Sequence, residues 1–507
     1  MQAAQILIAG AGPTGLVLAL SLSRRGIPFR IIDKNKAPGQ ASRALVVHAR
    51  TLEFYQQLGF AEEVVASGIK LAAIHLREAG KEAGSFALND MGEGVSPFPF
   101  ALCFPQDDHE RLLAAKLQAL GITVEWGTEL REFSQDTARV LAVLHNGQRE
   151  EAIEVAYLCG CDGARSLVRE TLNLGFPGGT YNQKFFVADV KIDSVSQDDI
   201  FLNLGADTFV LMMPVRSSGM QRLVGIIPAS FAQLDNLSFE DVRASTEGVL
   251  GLHVNHVNWF SSYHVHHRVA ARFRADRCFV LGDAAHIHSP VGGQGMNTGI
   301  GDAVNLSWKL ADVLQNRAAA SLLDTYEPER IAFARALVST TDRAFEGIVN
   351  QGRTGRTLRT WIMPHVVSIL SSFKAVRRAM FRTISQVHIH YRHSAISQGR
   401  AGQVQGGDRL PWINSFPSDN FAPLTSLAWQ VHVYGEAKAA FTQQLTALNL
   451  PLHTFAWTLA TKRAGFQQDA AYLVRPDGYV ALAVSDQAAD SLNLFLTKRG
   501  LKFLRSF

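Results

Sequence analysis

"QILIAGAGPTGLVLALSLSRRGIPFRIIDK", residues Gln5 to Lys34, reads as strand, tight turn, helix and strand. Ile6 to Ala9 is a short apolar run of the kind buried in a parallel sheet. Gly10, Gly12 and Gly15 follow it as G-x-G-x-x-G. The first glycine permits the turn, the second admits a pyrophosphate to the backbone, and the third lets helix and strand pack closely. Pro13 suits the first helical turn, where its missing N–H costs nothing. The helix start offers unpaired N–H groups and partial positive charge to phosphate. The second strand, Phe29 to Ile32, ends at Asp33, roughly 20 residues on, the separation at which a carboxylate meets an adenosine ribose. The stretch predicts an α/β fold that opens with a dinucleotide-binding unit.

At 507 residues the chain has room for several folding units and a large core. A formal charge of +4 is mild for this length and argues against a nucleic-acid partner. Cys103, Cys159, Cys161 and Cys278 form neither a metal-ligand pattern nor a disulfide framework, which suits reduced thiols in the cytoplasm. The apolar run from Ile6 to Leu22 lacks a basic leader and contains four glycine or proline residues, unlike a signal peptide. No other stretch approaches the ~18 uninterrupted apolar residues of a membrane span, so stable membrane insertion is not expected.

"LGDAAHIHSPVGGQGMN", Leu281 to Asn297, could be a metal cage of Asp283, His286 and His288, or a cradle for something larger. Cys278 to Leu281 reads as a buried strand, and Asp283 lies past its carboxyl end, the edge at which open α/β sheets bind ligands. Ile300, Ala303, Val304, Trp308, Ala311 and Leu314 follow helical spacing, so a helix begins near Gly295 or Asn297. No third imidazole or thiolate follows at ligand spacing. Small glycines and a bare helix N-terminus suit a flat, electron-rich ligand, and no metal is expected. The histidines are read as loop packing and capping groups.

Three further segments complete a pattern: "SRALVVHARTLE" (Ser42 to Glu53), "PQDDHERLL" (Pro105 to Leu113) and "GCDGARSLVRE" (Gly160 to Glu170). Over roughly the first 395 residues the chain resembles, motif by motif and in the same order, the single-component flavin aromatic hydroxylases of the p-hydroxybenzoate and phenol hydroxylase family. The resemblance implies a p-hydroxybenzoate-hydroxylase-like, Rossmann-type FAD-binding domain with an inserted β-sheet substrate domain. It also implies a C-terminal thioredoxin-like domain. Gly10, Gly12, Pro13, Thr14 and Gly15 would cradle the FAD pyrophosphate, Asp33 the adenosine ribose, with Arg43 by the phosphates. Gln106 would lie near the ribityl chain and Asp283 on a ribityl hydroxyl. Pro290, Gly293, Gly295, Met296 and Asn297 would line the isoalloxazine edge, where the helix N-terminus favours the anionic N1–C2=O region of reduced flavin. Asp162 and Gly163 would approach both FAD and a transient NADPH or NADH, and Lys34 and Lys36 could favour a 2′-phosphate.

The implied activity is NAD(P)H- and O2-dependent hydroxylation of a small phenolic or polyketide-like aromatic substrate through a flavin C4a-hydroperoxide. No catalytic base is identified; His48, His264 and Tyr181 are candidates by type alone. A flavin halogenase of the same fold is the nearest rival, but its Trp-x-Trp-x-x-Pro segment is missing. A reductase of isoprenoid double bonds and a non-catalytic FAD-binding interaction protein are the others.

The expected organisation is an FAD-binding part over 1–179, with substrate-sheet strands around 72–104, and a β-rich substrate domain over 180–272. The FAD-binding domain returns, with helices, over 273–396. Phe201, Phe209, Met212, Met213 and Pro214 would wall the substrate cavity, although strand alternation admits one parity. Tyr326 to Phe345 reads as a surface helix. The basic, apolar stretch from Arg356 to Thr383 is read as packing on the FAD domain or a second subunit, which leaves a homodimer open, in preference to lying on a membrane. A Gly/Gln-rich linker is expected over 397–411, then the cysteine-free C-terminal domain over 412–507, where thiol redox chemistry is excluded. Pro476-Asp477-Gly478 reads as its hairpin turn. Asp107 and Glu110 match a capping box, and Arg165 and Arg169 read as helix-surface charges, with a structural role left open for Arg169, which matches the family pattern.

Overall fold

The computed structural model describes residues 4–39, 44–78, 80–193, 195–205, 208–216, 219–231, 234, 236–289, 291–349, 373–414 and 419–503. The chain opens with β1 (Ile6–Ala9), α1 (Pro13–Ser23) and β2 (Phe29–Asp33), as the glycine pattern requires. β3 (Val46–Val47) and α2 (Ala49–Leu58) follow, then β4 (Ala73–Glu78), β5 (Lys81–Ala87), β6 (Leu102–Cys103), α3 (Gln106–Ala119), β7 (Glu125–Trp126) and β8 (Tyr157–Gly160). Next come β9 (Gly178–Lys191), β10 (Asp199–Leu204), β11 (Phe209–Arg216), β12 (Met220–Ile226), α4 (Phe239–Leu250) and β13 (His256–Val269). The chain returns through β14 (Arg274–Ala275), β15 (Cys278–Val280), β16 (His286–Ile287), α5 (Gln294–Leu314) and α6 (Tyr326–Val349).

One six-stranded sheet has the order β14-β15-β8-β1-β2-β7, parallel except at the β14 edge. β1 is buried along its whole length, in a core that it shares with residues of α1 and α5. The glycine loop after β1 and the loop after β15 therefore emerge at the same carboxyl edge, although some 270 residues separate them.

The second sheet has the order β16-β13-β9-β12-β11-β10-β4-β5. Strand alternation divides its side chains. Phe186, Phe201, Val210, Met212 and Leu223 form a core under α4 with Phe239 and Val242. Ile200, Met213 and Val215 turn the other way, against Leu45, Ala49 and Cys103 of the first unit. That face continues through Leu211 to Phe185, Phe209, Ile226 and Val265, edged by Tyr181, Leu202 and Tyr263. Of the five residues expected in the cavity wall, Phe209 and Met213 face the first unit, while Phe201 and Met212 lie in the core beneath α4. Pro214 follows their parity. A bidentate ion pair, Arg222 Nε to Asp189 Oδ1 at 2.7 Å and Nη2 to Oδ2 at 2.8 Å, sits buried beside this face.

The stretch 397–411, read as a linker, carries strands Gln398–Ala401 and Val404–Gln405, the first pairing with Val480–Val484. In the C-terminal sheet, Gln430–Tyr434 runs parallel to Leu452–Phe455 and antiparallel to Ala471–Val474. Ala471–Val474 and Val480–Val484 form a hairpin through Pro476-Asp477-Gly478, with Gly478 at φ +75°. This turn plugs into the first unit. Arg475 donates to both oxygens of Glu329 at 2.9 and 3.0 Å, Trp308 Nε1 to Asp477 Oδ2 at 3.0 Å, and Arg50 to the Asp477 carbonyl at 2.8 Å. Lys309 also donates to Glu329, and Arg50, Arg409 and Ser96 all converge on Glu53. Burial pushes the Glu329 carboxyl up, but Arg475 and Lys309 more than reverse this and hold it below its ordinary range. Burial lowers Lys309 to about 8. Such charges are tolerated inside because each carboxylate is bonded several times over. The expected surface helix α6 thus buries Tyr326, Glu329 and Arg330 in its first turns.

Candidate functional site

The three glycines of the first loop differ in what surrounds them. A Cβ on Gly10, at φ +106°, would lie 2.2 Å from the Cys161 carbonyl oxygen, and one on Gly15 would lie 2.0 Å from the Gly10 oxygen. Both contacts exclude a side chain. Gly12 has no atom within 4 Å of its would-be Cβ, so space opens beside it at the start of α1. Asp33 closes the turn: Oδ2 accepts the Ala11 N–H and Oδ1 the Asn35 N–H, both at 2.8 Å. Pro13 is the first residue of α1. Thr14 packs instead against Gly282 and Gly299, where a Cβ would meet its Oγ1 at 2.6 and 2.3 Å. It thereby joins the first loop to the second. Lys34 and Lys36 are exposed. Arg43 and Pro290 lie outside the described residues.

Asp283 is exposed in a short turn, Gly282–Ala284, at the end of β15. His286 Nε2 pairs with Asp302 Oδ2 at 2.7 Å, while His288 Nδ1 bonds the Ser289 carbonyl at 2.7 Å. The two imidazoles are held by different groups and do not frame a shared ligand position with Asp283. Arg330 donates to the other Asp302 oxygen at 2.6 Å. α5 starts at Gln294, directly after Gly292 and Gly293, both left-handed. Gly295 and Met296 are half-buried in its first turn. The Asn297 carboxamide is fully engaged within the protein: Oδ1 accepts from the His48 N–H and Thr51 Oγ1, and Nδ2 donates to the carbonyls of Val46 and Gly293.

Other chain segments close around these loops. α3 begins at Gln106 with Pro105 before it, so Glu110 is not the capping-box partner expected. Its carboxylate accepts from Gln106 Nε2 at 2.8 Å and from the Gly39 N–H at 3.1 Å, and burial raises its pKa. Asp162 accepts the Val168 N–H at 3.2 Å, and burial raises it too. Arg169 is buried and donates to the carbonyls of Ala284 and Ala164 at 3.0 and 2.8 Å. It is a tie between the Asp162 loop and the Asp283 turn, the structural role left open for it and not that of a helix-surface charge. Its spacing within one short helix gave no hint of partners 115 residues away.

Among the candidate bases, His264 is exposed and points away from Tyr263 and Val265 by strand alternation. Tyr181 packs edge-on to His267 at 4.7 Å. His267 shares the face of Tyr263 and Val265 and was not singled out from sequence. His48 is buried, and burial lowers its pKa to about 4.

A profile of the FAD binding domain matches residues 3–341. The 6-methylpretetramide 4-monooxygenase of Streptomyces rimosus is 38% identical over 419 residues, 79% of this chain and 72% of that protein. This chain belongs to the FAD-dependent aromatic monooxygenase family. The pentachlorophenol 4-monooxygenase of Sphingobium chlorophenolicum is 31% identical over 420 residues, covering 80% and 75% of the two chains. The OxyS anhydrotetracycline hydroxylase from Streptomyces rimosus superposes with a TM-score of 0.78 at 26% identity over 99% of each chain.

The matching domain is one that binds FAD, and the residues present fit that cofactor. The opening beside Gly12 faces the helix start that favours phosphate. Among the described residues, Asp162 Oδ1, His288 Nε2 and Ser289 Oγ are buried without a protein partner. Unpaired buried polar atoms are costly, and a polar ligand held between these loops would offer them partners.

Proposed function

We propose that this monooxygenase hydroxylates a neutral phenolic or polyketide-like aromatic substrate, with NADPH or NADH as transient reductant and O2 as oxidant. The observation that carries this reading is the apolar sheet face running from Met213 through Leu211 to Phe209 and Phe185, turned toward β3. Asp189 and Arg222 neutralise each other beside it, so the wall offers no unbalanced charge to an anionic substrate.

Gly10, Gly12, Pro13, Thr14 and Gly15 would hold the FAD pyrophosphate and Asp33 the adenosine ribose, with Arg43 near the phosphates. Gln106 and Asp283 would meet the ribityl chain. Asp162, Pro290, Gly293, Gly295, Met296 and Asn297 would surround the isoalloxazine, with Asn297 acting through the loop it ties down. Lys34 would lie toward the nicotinamide nucleotide. FAD, when bound, supplies the electron transfer and oxygen activation that the side chains cannot. The protein's own part is to orient the ring against the sheet face and to exclude water. One dinucleotide turn serves FAD, so NAD(P)H binds only transiently.

The parallel pair, the hairpin and the final helix (Ala489–Lys498) of the C-terminal unit support a thioredoxin-like domain, here without cysteines and acting in contact with its neighbours. A homodimer and a cytoplasmic location complete the proposal. A screen of phenols and aromatic polyketides tests it. A substrate should speed NAD(P)H oxidation without matching peroxide release and gain one atom from labelled O2. Oxidation unstimulated across the panel, with all oxygen leaving as peroxide, overturns it.

A further inference from the structure

Gly292 and Gly293 precede α5 in the left-handed region, at φ +74° and +62°. Both of their carbonyl oxygens are held by side chains. His48 Nε2–H donates to the Gly292 oxygen at 2.9 Å, and Asn297 Nδ2–H donates to the Gly293 oxygen at 2.8 Å. In a trans peptide the N–H points opposite to the C=O. The bond to Gly292 therefore turns the Gly293 N–H away from His48, and the bond to Gly293 does the same for the Gln294 N–H. These donors open a 21-residue helix, where N–H groups lack intrahelical acceptors and carry partial positive charge.

His48 is itself fixed. It is 1% exposed, it precedes α2 as its N-cap, and its backbone N–H bonds Asn297 Oδ1 at 2.9 Å. Because Nε2 donates to a carbonyl, the neutral ring carries its lone pair on Nδ1, and that atom is buried without a protein partner.

We propose that His48 is a positioning residue for the flavin: by holding the Gly292 carbonyl it aims the Gly293 N–H and the start of α5 at the pyrimidine edge. His48 thereby sets both flavin affinity and the preference for reduced over oxidised flavin. The inference rests on the FAD site proposed above. Reduced flavin gathers negative charge at N1–C2=O, so donors aimed there favour the reduced form. A loosened turn weakens binding of both forms, and of the reduced form more.

The test uses the full-length protein, stripped of FAD and reconstituted. FAD affinity is read by fluorescence titration and the midpoint potential by anaerobic dye-equilibrated reduction. His48→Phe removes the donor, whereas His48→Gln places an amide N–H near the position of Nε2. The Phe variant should bind FAD about tenfold more weakly, the scale of one hydrogen bond. Its preference for reduced flavin should fall by up to tenfold, which is ~30 mV for a two-electron couple. The Gln variant should recover most of both. If His48→Phe yields no folded protein, His48→Asn, whose amide is too short to reach Gly292, takes its place with the same expected losses. Wild-type affinity and potential in the donor-free variant, or equal shifts with Gln and Phe, overturn the proposal. Failure of the wild-type chain to take up FAD would instead overturn the reading of the site.

Discussion

Gly12 and Gly15 stand three positions apart and answer to different constraints. A Cβ at Gly15 meets the Gly10 carbonyl at 2.0 Å, so Gly15→Ala must push α1 off the turn. Overpacking of this kind costs about 1–3 kcal/mol. Gly12 has φ −71° and open space around it, so Gly12→Ala should leave the melting temperature of the FAD-free protein near wild type. That variant should still bind FAD at least tenfold more weakly, because the methyl group fills the space a pyrophosphate would occupy. Melting curves and FAD titrations of the two variants separate a packing glycine from a ligand-facing one. If both variants melt and bind alike, the cradle has been misread.

At the scale of elements, the substrate sheet and the C-terminal hairpin make contrasting predictions. Leu211→Trp adds bulk on the face turned toward β3 and should reject the larger of two accepted substrates with little change in stability. Met212→Ala, one residue on, opens a hole under α4 and should cost about 2–5 kcal/mol without altering substrate preference. KM values for a large and a small substrate, read beside denaturant unfolding, decide between them. A preference shift in Met212→Ala would mean that the sheet presents its other face. In the hairpin, Arg475→Met leaves Asp477 with the Trp308 N–H but no guanidinium, and removes two of the donors on buried Glu329. Breaking a buried pair costs about 3–5 kcal/mol, and chemical denaturation should show it. A loss below about 1 kcal/mol would make the turn a surface contact.

Acid response belongs to the whole molecule. Burial lowers His48 and His288 to about 4, and His109 and His432 to about 3. Each histidine binds its proton more readily when unfolded, near 6.5, than when folded. The unfolded chain therefore holds more protons between these limits, and stability rises with pH there. As pH falls from 6.5 toward 4, this contribution is lost; Glu329, held below its ordinary range, adds to the loss below about 4.5. The unfolding midpoint should thus drop steeply from pH 6.5 to pH 4 and stay nearly level from 7 to 8. A midpoint flat from pH 6.5 to 4 would show that these imidazoles are solvated.

What the sequence determined by itself was local. A turn that needs φ above zero, or a carbonyl within 2.2 Å of a missing Cβ, forces glycine, so Gly10 and Gly15 were legible from their spacing after β1, whereas Gly292 and Gly293 were read only as small residues beside a flat ligand. The β1-α1-β2 unit followed from the same constraint. Tertiary structure alone decided which face of β11 turns toward the flavin unit, because a shift of one residue exchanges every side chain between faces. It also decided the partners of buried charges. Glu53 meets Arg409 across 356 residues and Arg169 meets Ala284 across 115, and no local pattern records either pairing. The strands within 397–411 were hidden for a related reason, since a glycine-rich run becomes a strand only when Val480–Val484 offers it an edge. Backbone geometry is written residue by residue, whereas burial and pairing exist only once distant segments have met.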